Sequence, residues 1–357
     1  MRESLNILYV GPLWEGCNCL QRMKALQDLG HYVIGVNTQP DNVRLLEWRL
    51  LSRINGKLFR LGLNAFGAKD LAGANQTILD NVKATKGWNI LWIDKGLTVE
   101  AKTLREVKAT YDQCLIVGYS PDDMYARHNQ SRQFLEHLPL YDIFFTTKSY
   151  NVHELKSLGC KRVEFIGNSY YPRNHKPMEL SNEEIARYGG RVGFIGAWEE
   201  ERADSMLKIA QAGHLVRIWG AGWERIRKRH SNLIVENRAL WGAEYAKAIC
   251  AFDINLGFLR KINRDLQTIR SVEIPACGGF MLAERTDEHL ILFEEGIEAE
   301  FFGSDDELVE KVKYYLAHPD KRETIAAAGR KRCLRSGYSC HNRLKEMILE
   351  INKLRSS

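Results

Sequence analysis

The strongest constraint on the fold is a repeated rhythm of short apolar segments that run into glycine and are spaced by helical stretches. Residues 5–11, Leu-Asn-Ile-Leu-Tyr-Val-Gly, read as a strand ending in a turn. Leu20, Met23, Leu26 and Leu29 then recur at helical spacing, and Gly30 stops the helix. Residues 31–36 return as a strand. Strand, loop, helix and strand in that order make a βαβ unit, and such units build parallel sheets. Residues 89–94, 114–118, 142–146 and 162–166 are further apolar strands, with a helix expected over 147–158. Residues 170–177 break the periodicity with two prolines. Ser181-Asn-Glu-Glu184 is a capping box, closed by Gly189-Gly190. Arg191-Val-Gly-Phe-Ile-Gly196 starts the rhythm again, and strands are expected at 215–219, 233–235 and 253–256. Ser304-Asp-Asp-Glu307 is a second capping box, and Asp320-Lys-Arg-Glu323 is expected to cap the helix after it. A chain of 357 residues with this pattern suits two α/β domains.

Residues 268–284 carry the most chemistry. Thr268 is the expected N-cap of a short helix with Val272 and Ala276 on its apolar face. Gly278-Gly279 ends the helix, and residues 280–283 form an inner strand. A helix start offers unpaired N–H groups to an anion. Glu273, one turn inside, would face the same cleft, where a carboxylate suits vicinal hydroxyls. Phosphates at the helix start and a ribose at Glu273 would place a nucleotide. An incidental Glu in an ordinary helix–strand unit is the plainer alternative.

The run Arg270-Ser-Val-Glu273-Ile-Pro-Ala-Cys-Gly-Gly279 resembles the Glu-x-x-Ala-x-Gly signature of glycosyltransferases built from two facing Rossmann-like domains, the GT-B fold. Residues from about 190 to 350 resemble the spore-maturation CgeB/YkvP-type glycosyltransferase-like family, within the wider retaining group 1. The resemblance implies an α/β chain with two Rossmann-like domains across a cleft: residues 1–172 for the acceptor, with helix 342–357 crossing back, and residues 173–341 for the donor. It implies that Glu273 holds the donor ribose. That group usually has a second Glu eight residues earlier, where this chain has Asp265. It also implies a phosphate-binding cation near Arg202 and a nucleobase pocket near Gly222 and Trp241, since glycine admits a ligand and an indole stacks on a base. An ion pair of Arg202 with Glu199, Glu200 or Glu201 and a core fate for Trp241 are the alternatives.

Lys261 and Arg264 are candidate second phosphate contacts, and Arg270 either contacts phosphate or braces Glu273. In the first half, the loop 11–16 ends in Gly16, which would let a ligand approach. It is not a Gly-x-Gly-x-x-Gly fingerprint. Ligands of open α/β sheets sit beyond the carboxyl ends of strands. That makes Asp94, Asp122 and Asp123 the candidates for orienting or deprotonating an acceptor, with a helix cap the alternative for Asp122.

Residues 43–63 interleave basic and apolar residues at near-helical spacing, which suits either an anionic membrane surface or a helix on its own sheet with a solvated basic face. No run is long and apolar enough to span a bilayer, and no signal peptide is expected, so a cytoplasmic enzyme, peripheral at most to the inner membrane face, is the simplest reading. The eight cysteines include no Cys-x-x-Cys pair, and no metal spacing stands out among the ten histidines. The net charge of +6 is mild and suits an anionic nucleotide without demanding it. The expected partners are a nucleotide-diphosphate sugar as co-substrate and a glycan, lipid or protein acceptor, with no cofactor, metal or nucleic acid. A nucleotide-sugar-binding protein without turnover and a Rossmann-type oxidoreductase are the alternative classes.

Overall fold

A computed structural model describes residues 4–40, 50, 54, 68–226 and 229–356. The segment 43–63 lies outside the described residues apart from Leu50 and Ile54. The chain divides into two compact units, residues 1–167 with 341–357, and residues 168–340.

The first unit runs β1 (Asn6–Gly11), α1 (Asn18–Asp28), β2 (Tyr32–Asn37), α2 (Ala74–Ala84), β3 (Ile90–Asp94), α3 (Ala101–Thr110), β4 (Leu115–Ser120), α4 (Arg132–His137), β5 (Ile143–Thr146), α5 (Asn151–Ser157) and β6 (Val163–Phe165). Its six strands are parallel, in the order β2-β1-β3-β4-β5-β6. Every residue of β3 is buried, as expected of a strand covered on both faces. One face packs Leu8, Val10, Leu91, Ile93, Ile116 and Phe144 against Ile78, Leu104 and Phe134 of the helices. On the other, Trp92 stacks between Tyr9 and Phe145.

The second unit runs α6 (Asn182–Tyr188), β7 (Gly190–Ile195), α7 (Glu200–Gln211), β8 (Val216–Trp219), β9 (Leu233–Val235), α8 (Gly242–Ala251), β10 (Phe252–Gly257), α9 (Arg270–Ala276), β11 (Met281–Glu284), α10 (Asp287–Leu292), β12 (Glu300–Phe302), α11 (Asp305–Ala317) and α12 (Pro319–Arg335). The final helix α13 (Cys340–Arg355) returns almost wholly to the first unit, where Arg162 pairs with Glu350 at 2.8 Å. The second sheet is again parallel, ordered β12-β11-β10-β7-β8-β9. Strand order reverses between β7 and β10, and in the first sheet at β1 and β3. The carboxyl ends of those strands are where such sheets bind ligands.

Several local expectations shift. The helix expected over 147–158 begins at Asn151, because the Thr146 hydroxyl accepts the Lys148 N–H and holds a turn. The helix of 319–335 starts on Pro319 without a side-chain cap at Asp320, since proline at N1 needs no N–H partner. Ser181 and Glu184 close a full capping box; Ser304 caps α11, but Glu307 turns instead to the Gly303 N–H and to Arg285. In α1 the buried stripe is Arg22, Ala25 and Leu26 rather than Leu20 and Met23. All eight cysteines are free thiols.

The tightest point of the second unit is the turn after β8. Gly220 has φ +153°, and a Cβ there would sit 1.9 Å from the Gly196 carbonyl oxygen. A backbone atom cannot rotate away. Gly220→Ala is expected to destabilise the protein by about 1–3 kcal/mol, the range for overpacking. Urea unfolding measures this, and unchanged stability would contradict the packing described.

Candidate functional site

The site grows from the turns after β7 and β8. The Gly196 N–H donates to the Trp219 carbonyl at 2.8 Å, the Trp223 indole N–H donates to the Gly196 carbonyl at 2.9 Å, and the Trp198 N–H donates to the Ala221 carbonyl at 3.0 Å. Gly222 takes φ +86°, which only glycine adopts readily. These bonds lace two loops into one rigid backbone surface at the carboxyl edge of the sheet.

Two guanidinium groups meet that surface. Arg202, in the first turn of α7, is only 3 % exposed. Its Nη1 donates to the Ala197 carbonyl at 3.2 Å, and Nη2 lies 3.6 Å from the Glu199 carboxylate. Nε and Nη2 are buried and form no hydrogen bond among the described residues. Arg270, the first residue of α9, brings Nη2 to 3.4 Å from the position a Gly196 Cβ would occupy, and its Nε is also buried and unbonded. Burial, together with the nearby charges of Arg270 and Arg260, pushes Arg202 down to about 10, so it stays cationic at neutral pH. Buried donors without acceptors cost free energy, and two adjacent cations repel. An anion with several oxygens, such as a phosphate, relieves both costs.

The surrounding cations are already held. Arg260 donates to Glu199 at 2.8 Å. Lys261 pairs with Glu284, which also accepts the Leu259 N–H at 2.7 Å. Arg264 adopts a left-handed conformation, φ 51°, after the short turn of helix 261–263, and Asp265 accepts the Arg260 N–H at 3.3 Å. A cleft of ≈ 320 Å³ opens at the ends of β10, β11 and β12, lined among others by Arg202, Ser205, Leu259, Lys261, Glu284 and Ser304.

Glu273 is 4 % exposed. It accepts the Tyr245 hydroxyl at 2.6 Å, and its other oxygen lies 3.5 Å from His175 Nε2. Burial and the Glu273 charge raise the Tyr245 phenol well above its ordinary range. Among the described residues no ion pair joins Arg270 to Glu273, so of the two alternatives for Arg270 the bracing one is not seen, and Tyr245 holds the Glu273 carboxylate instead. Thr268 does not cap the helix. Helix α9 has seven residues and opens behind Ile269 without a side-chain cap. The N–H groups of Ser271, Val272 and Glu273 go to the carbonyls of Thr268 and Ile269. Those three donors are thus used within the turn, while the buried Nε of Arg270 and Nε and Nη2 of Arg202 stay unbonded beside it. Trp241 is 54 % exposed on the loop before α8, not in the core.

In the first unit the carboxylates differ sharply. Asp94, at the end of β3, is buried, and its Oδ2 takes Arg22 Nε at 2.9 Å, Arg22 Nη2 at 2.7 Å and the Tyr9 hydroxyl at 2.7 Å. Arg22 in turn lies over the Tyr119 ring at 3.9 Å. Asp123 is fully buried and organises a turn, accepting Asn151 at 2.8 Å and the N–H groups of Tyr125 and Ala126 at 3.2 Å. Asp122 caps no helix; it is half-buried and pairs with Lys95 at 2.5 Å. Lys95 itself holds φ 67°, an uncommon conformation for a side-chain-bearing residue. Burial makes Asp94 and Asp123 parts of the fold and leaves Asp122 the accessible carboxylate of the three. Gly16, φ +92°, ends the turn before α1. Arg22 and Tyr9 were not expected here, and a lone basic residue one turn before Leu26 was the available signal. Among the described residues no three His, Cys, Asp or Glu side chains are grouped to hold a metal ion, and no helix is long and apolar enough to cross a membrane.

Residues 202–348, most of the second unit and part of α13, match the model of a glycosyl transferase-like family. No curated protein matches the sequence. Among solved structures, sucrose-phosphate synthase from Thermosynechococcus elongatus is 12 % identical over 100 % of both chains, with a TM-score of 0.63. The α,α-trehalose 6-phosphate synthase from Burkholderia multivorans is 11 % identical over 99 % of each chain, with a TM-score of 0.66. Anabaena HepE, in complex with UDP and glucose, is 12 % identical, covering 98 % of this chain and 100 % of its own, with a TM-score of 0.61. At these identities the likeness is one of fold: the chain has the α/β architecture of GT-B glycosyltransferases.

Removing Arg22 would strand the Asp94 carboxylate in the interior. Arg22→Ala is expected to lose about 3–5 kcal/mol of stability, as for other broken buried pairs. Denaturant unfolding checks this, and a loss below about 1 kcal/mol, typical of exposed pairs, would show that the pair is not sealed.

Proposed function

We propose that the protein is a glycosyltransferase that moves a sugar from a nucleotide-diphosphate sugar to a hydroxyl-bearing glycan, lipid or protein acceptor. The second unit takes the donor and the first takes the acceptor. The observation that carries the reading is the pair Arg202 and Arg270, whose buried N–H groups lack acceptors at the carboxyl edge of the second sheet. The GT-B fold and the family match over residues 202–348 support the same reading. The CgeB/YkvP-type kinship of that region belongs to it as well.

In this mechanism the donor diphosphate lies against the two guanidinium groups. As the bond between the sugar carbon and the phosphate oxygen breaks, negative charge grows on the leaving diphosphate, and fixed cations in a water-poor site stabilise it. Transfer is retaining and needs no metal, since the guanidinium groups supply the positive charge. A leaving phosphate oxygen takes the acceptor proton. Asp122 orients the acceptor hydroxyl. Glu273 holds the donor ribose, a role in which a sugar hydroxyl takes the place of the Tyr245 hydroxyl on its carboxylate. Trp241, exposed beside α8, offers a face to the base, with Gly222 giving backbone clearance. The UDP bound by Anabaena HepE makes UDP the first ligand to try.

The test is transfer from a panel of UDP-sugars together with UDP titration by calorimetry. Arg202→Ala should weaken UDP binding by roughly 1.5–3 kcal/mol, the strength of a charged hydrogen bond, or about tenfold to a hundredfold in affinity. Unchanged binding would assign Arg202 to a structural role beside Glu199. Transfer should survive EDTA; complete loss that manganese restores would overturn the metal-free mechanism.

A further inference from the structure

Arg270 has no acceptor for its Nε, so the position of its guanidinium depends on the backbone that carries it. That backbone is the turn 268–271, closed by the Ser271 N–H on the Thr268 carbonyl at 3.0 Å. A chain of three further hydrogen bonds ties the turn to β11. The Thr268 N–H reaches Ser271 Oγ at 3.1 Å, Ser271 Oγ lies 2.7 Å from His289 Nε2, and His289 Nδ1 lies 2.6 Å from the Glu284 carbonyl. Ser271 and His289 are 3 % and 1 % exposed, so water does not substitute for any of these partners.

The direction of each bond follows from the donors available. A carbonyl oxygen only accepts, so Nδ1 of His289 carries the proton. Burial keeps this imidazole neutral, so Nε2 is an acceptor. The Ser271 hydroxyl must then donate to Nε2, and its lone pairs are left for the Thr268 N–H. Only one arrangement satisfies all three groups. The imidazole is itself fixed, stacked on Phe301 at 5.4 Å and 6°, with its backbone N–H capped by Thr286 at 3.1 Å. His289 thus links the end of β11 to the residue beside Arg270.

We infer that Ser271 and His289 form a positioning relay that fixes the turn 268–271 and so holds the Arg270 guanidinium against Gly196 beside Arg202. The relay rests on the reading of the arginine pair as the diphosphate site. It touches no ligand itself. Its effect is on the affinity for anions that span both guanidinium groups, and a displacement of the turn by even an ångström separates the two donors.

The experiment has two arms. Calorimetry with UDP compares wild type, Ser271→Ala, Ser271→Thr and His289→Ala at a temperature where each is folded by circular dichroism. The relay predicts that Ser271→Ala and His289→Ala weaken UDP binding roughly tenfold, while Ser271→Thr, which keeps the hydroxyl, restores most of it. Wild-type affinity in Ser271→Ala overturns the relay and leaves the diphosphate site standing. A wild-type protein that binds neither UDP nor inorganic pyrophosphate overturns both. The second arm needs no variant. Nitrogen-15 histidine spectra of the intact protein near neutral pH should show one imidazole protonated on Nδ1 and not on Nε2, assigned to His289 by its loss in His289→Ala or, if that variant does not fold, in His289→Gln. A His289 that carries its proton on Nε2, or on both nitrogens, overturns the relay.

Discussion

A buried guanidinium, Arg202, and a half-buried one, Arg270, each with a buried N–H donor that lacks an acceptor, dominate the second unit. Burial and the neighbouring Arg270 charge lower Arg202, and Nε and Nη2 of Arg202 and Nε of Arg270 lack acceptors, a combination that a fold keeps only when surrounding structure holds it in place. Here the holding is backbone geometry. The Gly220 turn approaches the Gly196 carbonyl so closely that a Cβ on Gly220 would collide with it, a Cβ on Gly196 would collide with the Phe194 ring, and Trp223 pins the Gly196 carbonyl from behind. Glu199 engages Arg260 by a hydrogen bond at 2.8 Å and stands off Arg202 at 3.6 Å, so it offsets the charge without consuming the donors. Under the proposed function this arrangement is a preorganised receptor for the donor diphosphate.

The first unit meets the same topological situation with a carboxylate. Asp94 ends β3 beside the strand-order reversal, where Arg22 and Tyr9 neutralise and bond it. All three bonds fall on Asp94 Oδ2, and its Oδ1 is buried without a partner among the described residues, just as Arg202 keeps unbonded donors beside its ion pair with Glu199.

Much of the fold was legible because parallel strands covered on both faces are continuous apolar runs, as in Ile90–Asp94 and Met281–Glu284. Boundaries failed where side chains compete with the helix ladder, as at Thr146, or where proline opens a helix, as at Pro319. Arg202 was visible as a cation after the Gly196 turn, and Arg270 as one in the first turn of its helix. The unbonded Nε and Nη2 of Arg202 and Nε of Arg270 that make them informative were not, because they depend on which carboxylates Arg260 and Lys261 occupy. Arg22 was not legible in the helix pattern, because Asp94, 72 residues away, draws it inward. Tyr245 and His175 on Glu273, and His289 on Ser271, likewise join residues that no local pattern connects.

The most direct measurement is a crystal structure with UDP bound. The account predicts diphosphate oxygens within hydrogen-bonding distance of Nε of both Arg202 and Arg270, lying over Gly196. A diphosphate bound elsewhere, with both Nε groups still unbonded, would contradict it.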